Sequence, residues 1–420
     1  MKRRILLLLC LVGGMVALHA EVKVKNVAVK PRWPWNGLVD ITYSIECDEK
    51  DDEGKPMDVY VDFTGIDNDR NMAVKIKSLT GQGAKEPVKA GGPYTVTWDM
   101  GKDEPNLNSS SFQVDVHAIA GIAPYLVIDL QTWKKRYSSQ PPNLDDDTCR
   151  TTELWLRQIP AGTFTMGCDS IEVGYSGNEF AKHEVTLTQM FYIGVFECTQ
   201  KQWELVMGTK PSYFSNATYY ATRPVECVSF NMIRGTGAQA GAGWPTYGHA
   251  VDNSSFMGKL QEKTGLTFDL PTEAQWEYAC RAGTTTALNS GKNLTNNGQD
   301  AAMAEVGRYW YNGGKKGYSQ TCTTANGTAK VGSYLPNAWG LYDMHGNVYE
   351  WCLDWWGAST SSTAAETDPV GPNTGSYRVG RGGGWPDYAI YCRSAVRGHN
   401  APSDYDNSIG FRVLCLPLVR

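Results

Sequence analysis

The chain has 420 residues, 41% hydrophobic and 20% charged, with a net charge of −5. That balance provides for a sizeable core and two domains or more, and so mild a charge argues against nucleic acid or an anionic membrane surface as partner. Glycine (44), tyrosine (22) and tryptophan (14) are plentiful while long aliphatic runs are scarce, which favours a loop-rich architecture over a helical bundle.

Residues 1–20 read as a secretory signal. Lys2, Arg3 and Arg4 form a basic end, Ile5 to Leu18 is a short apolar run, and Ala17 to Ala20 offers a cleavage site. The run falls short of the ~20 apolar residues of a membrane span, so the sequence predicts cleavage, no stable membrane span thereafter, and a secreted or periplasmic protein. Of 11 cysteines, Cys10 leaves with the signal. Some of the others are expected to pair in an oxidising compartment, although no Cys-x-x-Cys spacing marks a zinc finger or a disulfide scaffold.

Residues 21–121 read as all-β. Val22 to Val29, Val39 to Ile45, Val59 to Phe63, Tyr94 to Trp98 and Phe112 to His117 alternate with period two between Gly, Asn and Asp clusters. Short alternating strands at this spacing suggest an immunoglobulin-like β-sandwich, serving as a spacer or binding module, with Trp33, Trp35 and Trp98 as core plugs. Residues 122–152 read as a linker. It holds one candidate strand, Tyr125 to Leu130, and a polar, proline-bearing run, Ser138 to Thr148.

Residues 153–420 change pattern. Leu154 to Gly167 suggests a strand entering a glycine turn, and His183 to Thr188 and Phe191 to Cys198 are further strands. Thr199 with Gln202, and Thr272 with Gln275, form Thr-x-x-Gln capping boxes. They open helices that Gly208 and Gly283 are placed to end. A third helix is expected over Ser254 to Lys263, with Phe256, Met257 and Leu260 inward. Long loops join these elements, and loops of that length are usually functional or heavily braced.

In the stretch from Arg378 to Val413 a run of three glycines, Gly382 to Gly384, is followed closely by aromatics, the acid Asp387 and the thiol Cys392, with several arginines nearby. Arg378, Arg381, Arg393, Arg397 and Arg412 either fork onto buried acids such as Glu277 and Asp354 or line a ligand pocket. Cys392 is either a small buried hydrophobe or, with Asp387, part of a reactive or metal-binding site. Trp385, Tyr391, Arg393 and Trp355 are the candidate ligand contacts. Asp343 and Glu350 stand at the ends of a short turn, with the carbonyls of Gly346 and Val348 between them, and hard oxygens so placed suit calcium. The alternative is a plain turn in which Asp343 caps amides and Glu350 meets an arginine.

Eight segments occur in one familiar order: Ile159 to Gly167, Phe191 to Gly194, Glu197 to Trp203, Arg223 to Glu226, Leu270 to Ala279, Asn337 to Trp351, Arg381 to Trp385, and Ile409 to Val413. Together they resemble the formylglycine-generating enzyme, or sulfatase-modifying factor, family. The resemblance covers about residues 153–417. It implies an irregular α+β fold related to C-type lectin-like folds, and a calcium ion at Asp343, Gly346, Val348 and Glu350. In the founding enzymes a copper(I) ion held by two cysteines serves oxidation of a sulfatase cysteine to formylglycine by dioxygen. Here the first of those positions is Asp387, the second is Cys392, and the preceding serine is Gly384. A carboxylate is a hard donor and copper(I) a soft ion, so the expectation is a family member without that oxidase chemistry, binding a protein, peptide or glycan. The alternative is an oxygen-dependent oxidoreductase acting on a sulfatase cysteine, or a related metal-dependent oxidation.

Overall fold

The computed structural model describes residues 22–32, 36–48, 56–67, 69, 72–74, 76, 78–84, 87–104, 112–120, 124–138, 140–236, 251–314, 326–357 and 363–416. The signal at residues 1–20, Trp33, Trp35 and Cys10 lie outside them. No helix among the described residues is long and apolar enough to cross a membrane.

The N-terminal unit holds β1 (Lys23–Pro31), β2 (Leu38–Glu46), β3 (Val59–Asp67), β4 (Met72–Val74), β5 (Leu79–Gly81), β6 (Gly91–Asp99), the single turn α1 (Met100–Asp103) and β7 (Phe112–Ala120). They form two antiparallel sheets, ordered β1-β2-β6-β5 and β4-β3-β7. Period-two alternation drives this: Val39, Ile41, Tyr43 and Ile45 of β2 point inward in turn. They meet Val59 and Val61 of β3 and Val96 and Trp98 of β6 in one apolar cluster shared by both sheets. All five expected strands are present. The three-residue strands β4 and β5 are too short to show a period and escape a pattern reading.

The remaining chain forms β8 (Tyr125–Asp129), β9 (Lys135–Ser138), α2 (Thr148–Thr151), β10 (Glu153–Ile159), β11 (Gly162–Met166), β12 (His183–Leu187), β13 (Phe191–Gly194), α3 (Gln200–Met207), α4 (Phe230–Arg234), α5 (Phe256–Thr264), β14 (Phe268–Asp269), α6 (Glu273–Arg281) and α7 (Ala301–Val306). There follow β15 (Gly307–Arg308), β16 (His345–Gly346), β17 (Tyr349–Trp355), β18 (Glu366–Thr367), β19 (Arg378–Arg381), β20 (Arg397–Asn400), β21 (Ile409–Gly410) and β22 (Leu414–Cys415). The result is a β-rich, mixed α+β unit.

Its largest sheet runs β14-β22-β13-β10-β8-β9. The stretch read as a linker therefore contributes structure: β8 pairs along β10 from Glu153 opposite Asp129 to Arg157 opposite Tyr125, and β9 pairs with β8. Leu126 and Ile128 send their side chains into the main core, while Tyr125 and Val127 join a second cluster with Trp155 and Tyr342. A second sheet, β20-β19-β17-β21, carries most of the residues of interest.

Both capping boxes form as expected. Thr199 and Thr272 accept from the backbone of Gln202 and Gln275, whose side chains return to the cap amides. Gly208 closes α3 in the left-handed region. The third helix begins two residues late, at Phe256, because Ser255 caps the Gly258 amide. Helix α6 ends one residue before Gly283, on Ala282, which takes the left-handed conformation at φ 44°. All nine residues of α6 are buried, making it the central helix of the unit. Its Trp276 and Glu277 reach the glycine-rich stretch.

The expected disulfides do not form among the described residues. Nine cysteines are present there and all are free, seven of them buried. Burial, not pairing, accounts for them.

Candidate functional site

Strand β17 is flanked by β19, antiparallel, and β21, parallel, with β20 outside β19. The chain leaves β19 through Gly382 and Gly383, both at positive φ. A Cβ on Gly383 would lie 2.7 Å from the Cys392 sulfur and 2.7 Å from the Tyr391 carbonyl oxygen, so glycine is required for this close approach. The turn then folds on itself: the Gly384 amide donates to Asp387 Oδ2 at 2.8 Å, and the Asp387 amide to the Gly384 carbonyl at 3.1 Å.

Asp387 is half-buried, and burial pushes its carboxyl up to about 6, against the pull of the Gly384 amide and the Tyr349 hydroxyl bonded to it. Cys392 ends a 3₁₀ turn, Ala389–Cys392, and is sealed among Ala287, Leu288, Leu294, Met303, Val306, Tyr309 and Ala389. Burial, with the Asp387 charge second, drives its thiol well above the usual range. The reactive and metal-binding form of cysteine is the thiolate, and this environment withholds it. The donor set also fails to suit copper(I), since it pairs a hard carboxylate with a sealed thiol. Among the described residues no three His, Cys, Asp or Glu side chains gather as a metal-binding group.

His345 is fully buried beside this turn. The Asn289 amide donates to its Nε2 at 3.0 Å, so Nδ1 carries the proton and donates to the Cys392 carbonyl at 2.6 Å. Burial lowers its pKa to about 4, so the ring is a neutral brace for the turn.

The candidate ligand contacts divide. Trp385 is buried, donates from Nε1 to the Asn407 carbonyl at 2.9 Å, and meets Phe214 edge-on. Arg393 is completely buried, with Glu179 at 2.6 and 3.0 Å, Glu172 at 2.5 Å and the Gly174 carbonyl at 2.6 Å. Both belong to the core, because their polar atoms are turned inward and already bonded. Trp355 is half-buried, with the Arg378 guanidinium 3.4 Å from its ring centroid. Tyr391 is 48% exposed and Tyr388 45%, and these two do face solvent.

The arginines mostly take the internal reading. Arg381 pairs with Glu277, Arg397 holds Glu273 at 2.6 and 2.8 Å, and Arg412 forks onto Glu350 at 2.6 Å from both nitrogens. Asp354 differs from expectation: its carboxylate accepts the Glu273 amide at 2.7 Å, at the start of α6.

The turn from Asp343 to Glu350 is interior, with Tyr349 alone partly buried. Asp343 (φ 57°) and Asn347 (φ 64°) are left-handed. Asp343 Oδ2 accepts the Gly332 amide at 2.6 Å, and Glu350 meets Arg412 and Trp276 Nε1, the latter at 2.6 Å. These contacts match the plain-turn alternative. Two observations fit a cation in addition. Asp343 Oδ1 is buried with no hydrogen-bond donor, and Glu350 accepts three N–H groups where a carboxylate offers roughly four positions. Glu197, not singled out from the sequence although it lies in a quoted motif, adds a third acid. It accepts the Asn347 side chain at 2.5 Å and the Val348 amide at 3.1 Å. Burial, then Asp343 and Glu350, raise its carboxyl well above the ordinary range. Tyr349, the other residue without a prior role, lay in the segment Asn337 to Trp351, but sequence alone does not show that its hydroxyl meets Asp387.

A model of the FGE-sulfatase family, the sulfatase-modifying factor enzyme 1-like domain, matches residues 146–415. The mouse formylglycine-generating enzyme is 31% identical over 282 residues, covering 60% of this chain and 73% of the relative. The chaperone protein LppX of Paenibacillus barcinonensis is 32% identical over 230 residues, covering 50% and 74%. Among solved structures, Treponema denticola variable protein 1 is 28% identical with a TM-score of 0.49, covering 63% of this chain and 96% of that one.

Proposed function

The chain belongs to the sulfatase-modifying factor enzyme family, and from that membership we propose that it works as an exported binding protein, without the copper-dependent cysteine oxidation of the founding enzymes. The observation that carries this reading is the pair at the glycine turn. Asp387 stands where a second thiol would be needed, and Cys392 is sealed with its thiol held protonated. A relative named as a chaperone supports a role in binding for this scaffold. Export rests on the N-terminal signal, and the two-sheet N-terminal unit, which we read as immunoglobulin-like, serves as spacer or second contact. The family unit is read as C-type-lectin-like, with an exposed surface that takes a protein, peptide or glycan.

Calcium completes the proposal as a structural ion. Asp343, Gly346, Val348 and Glu350 would hold it, and the unmet Asp343 oxygen is the reason to place it there. When bound, it would supply positive charge among three buried carboxylates, Asp343, Glu350 and Glu197, of which Glu350 has the Arg412 guanidinium forked onto it.

Purified protein loaded with copper(I), assayed for metal content and for oxygen uptake with a cysteine peptide, tests the reading. The expected result is no stoichiometric copper and no turnover, with Cys392→Ala indistinguishable from the parent. Stoichiometric copper and oxygen consumption, both lost in Cys392→Ala, would establish the oxidase instead.

A further inference from the structure

We propose that Arg378 holds the carboxylate of a small organic acid, in a subsite between α4, β17 and β19 that is separate from the glycine turn. The inference does not depend on how Asp387 and Cys392 are read.

Two other arginines of the unit show how such a fork is used. Arg397 presents Nε and Nη2 to Glu273, at 2.6 and 2.8 Å, and Arg412 presents the same two nitrogens to Glu350, each at 2.6 Å. Arg378 is buried as deeply, at 2% exposed, yet no acid among the described residues pairs with it. Its Nη1 donates to the Leu353 carbonyl at 2.7 Å. Its Nε, half of the edge that the other two turn onto carboxylates, is buried with no acceptor. The remaining contacts are rings: the guanidinium carbon lies 3.4 Å from the Trp355 ring centroid and 4.4 Å from that of Phe230. Rings hold a guanidinium by its faces. They leave its in-plane donors unmet, and a buried donor without an acceptor is costly.

The neighbouring acids are engaged elsewhere. Asp269 takes the Arg234 Nε on both oxygens at 2.9 Å. Asp354 accepts the Glu273 amide, and burial followed by the Glu273 charge pushes its carboxyl up to about 7. Burial first, then the Arg234 charge, pulls the Arg378 pKa down to about 9, so at neutral pH it is still a cation. A buried cation with no carboxylate of its own calls for an anion.

The cover over it is thin. Trp355 is half-buried, and Tyr377, the residue before Arg378, is 45% exposed. The exposed loop leading to Tyr377 rests on Trp355 through Gly375, where a Cβ would stand 3.0 Å from the Trp355 Cβ. Such a cover admits a small acid and not a peptide strand. The planar donor edge matches the two oxygens of a carboxylate.

Titration of the full chain with sodium acetate tests this, with sodium chloride and sodium sulfate at equal ionic strength as controls. In protein carrying nitrogen-labelled arginine, one Nε–H resonance should move saturably with acetate and stay still in both controls. Arg378→Lys keeps the charge and removes the donor edge. It should delete that resonance and weaken acetate binding, read from the acetate-dependent rise in unfolding midpoint, at least about tenfold. Trp355→Leu should shift the same resonance by removing the adjacent ring, which assigns it independently if Arg378→Lys fails to fold. No saturable shift in the parent, an equal shift with sulfate, or acetate binding retained in Arg378→Lys would overturn the proposal. The copper and oxygen-uptake assay has no bearing on this site, so the two readings fail separately.

Discussion

Replacing Arg393 with methionine would leave Glu179 buried opposite no cation, and the Gly174 carbonyl without a donor. Breaking a buried pair from one side costs about 3–5 kcal/mol. Arg393→Met should lower unfolding stability by that order in a denaturant titration, and a change below about 1 kcal/mol would mean the pair contributes only as a surface pair does. This arginine also shows where sequence reading stops. A guanidinium two residues from an exposed tyrosine was a fair candidate ligand contact. Its acids, Glu172 and Glu179, come more than 200 positions earlier in a loop with no period, so nothing local signals that it turns inward. Trp385 failed for the same reason, since its indole partner is the Asn407 carbonyl beyond the next turn. Asp387 was readable as an odd residue in a family position; its hydrogen bond from Tyr349 was not.

Helix starts were legible because a capping box is written within four consecutive residues. Thr272 is the more consequential of the two. It opens α6, which carries Trp276 onto Glu350 and Glu277 onto Arg281 and Arg381. Thr272→Ala should cost about 1 kcal/mol, read as a lower midpoint in thermal unfolding with unchanged circular dichroism at low temperature. An unchanged midpoint would show that tertiary packing alone sets this helix start. Strand existence was legible wherever alternation ran long enough, as in β2 and β6. Strand β8 was legible as Tyr125 to Leu130, but its partner β9 was not, because Lys135 and Arg136 are exposed and the polar run that continues it imitates a linker. Short helices such as α4 and α7 carry caps, Ser229 and Asp300, but too few turns to show a face.

At the scale of the whole molecule, the family was readable, since eight motifs in order constrain each other. The way they meet was not, because it depends on ion pairs between distant loops. The calcium reading belongs here, as one ion would tie the turn before β17 to much of that network. Chelation, and separately Asp343→Ala, should each lower the unfolding midpoint. An ion held at 100 times its Kd contributes about 2.7 kcal/mol, which for a unit of this size is a shift of roughly 5–10 °C. Midpoints unmoved by both treatments would leave Asp343 as an amide cap only.

Strand β22 lies between β13 and β14, and the segment before it supplies the Phe411 and Val413 carbonyls to Cys198 and Gly194, and Arg412 to Glu350. Translation proceeds from the N-terminus, so the ribosome delivers these residues after every partner they join. Until Arg412 and β22 emerge, β14 has no neighbour in its sheet and Glu350 has no guanidinium. The N-terminal unit, whose strands pair among themselves, is under no such delay. Until β22 leaves the tunnel the core around β14 stays open, and that unfinished core is what a chaperone or protease would meet.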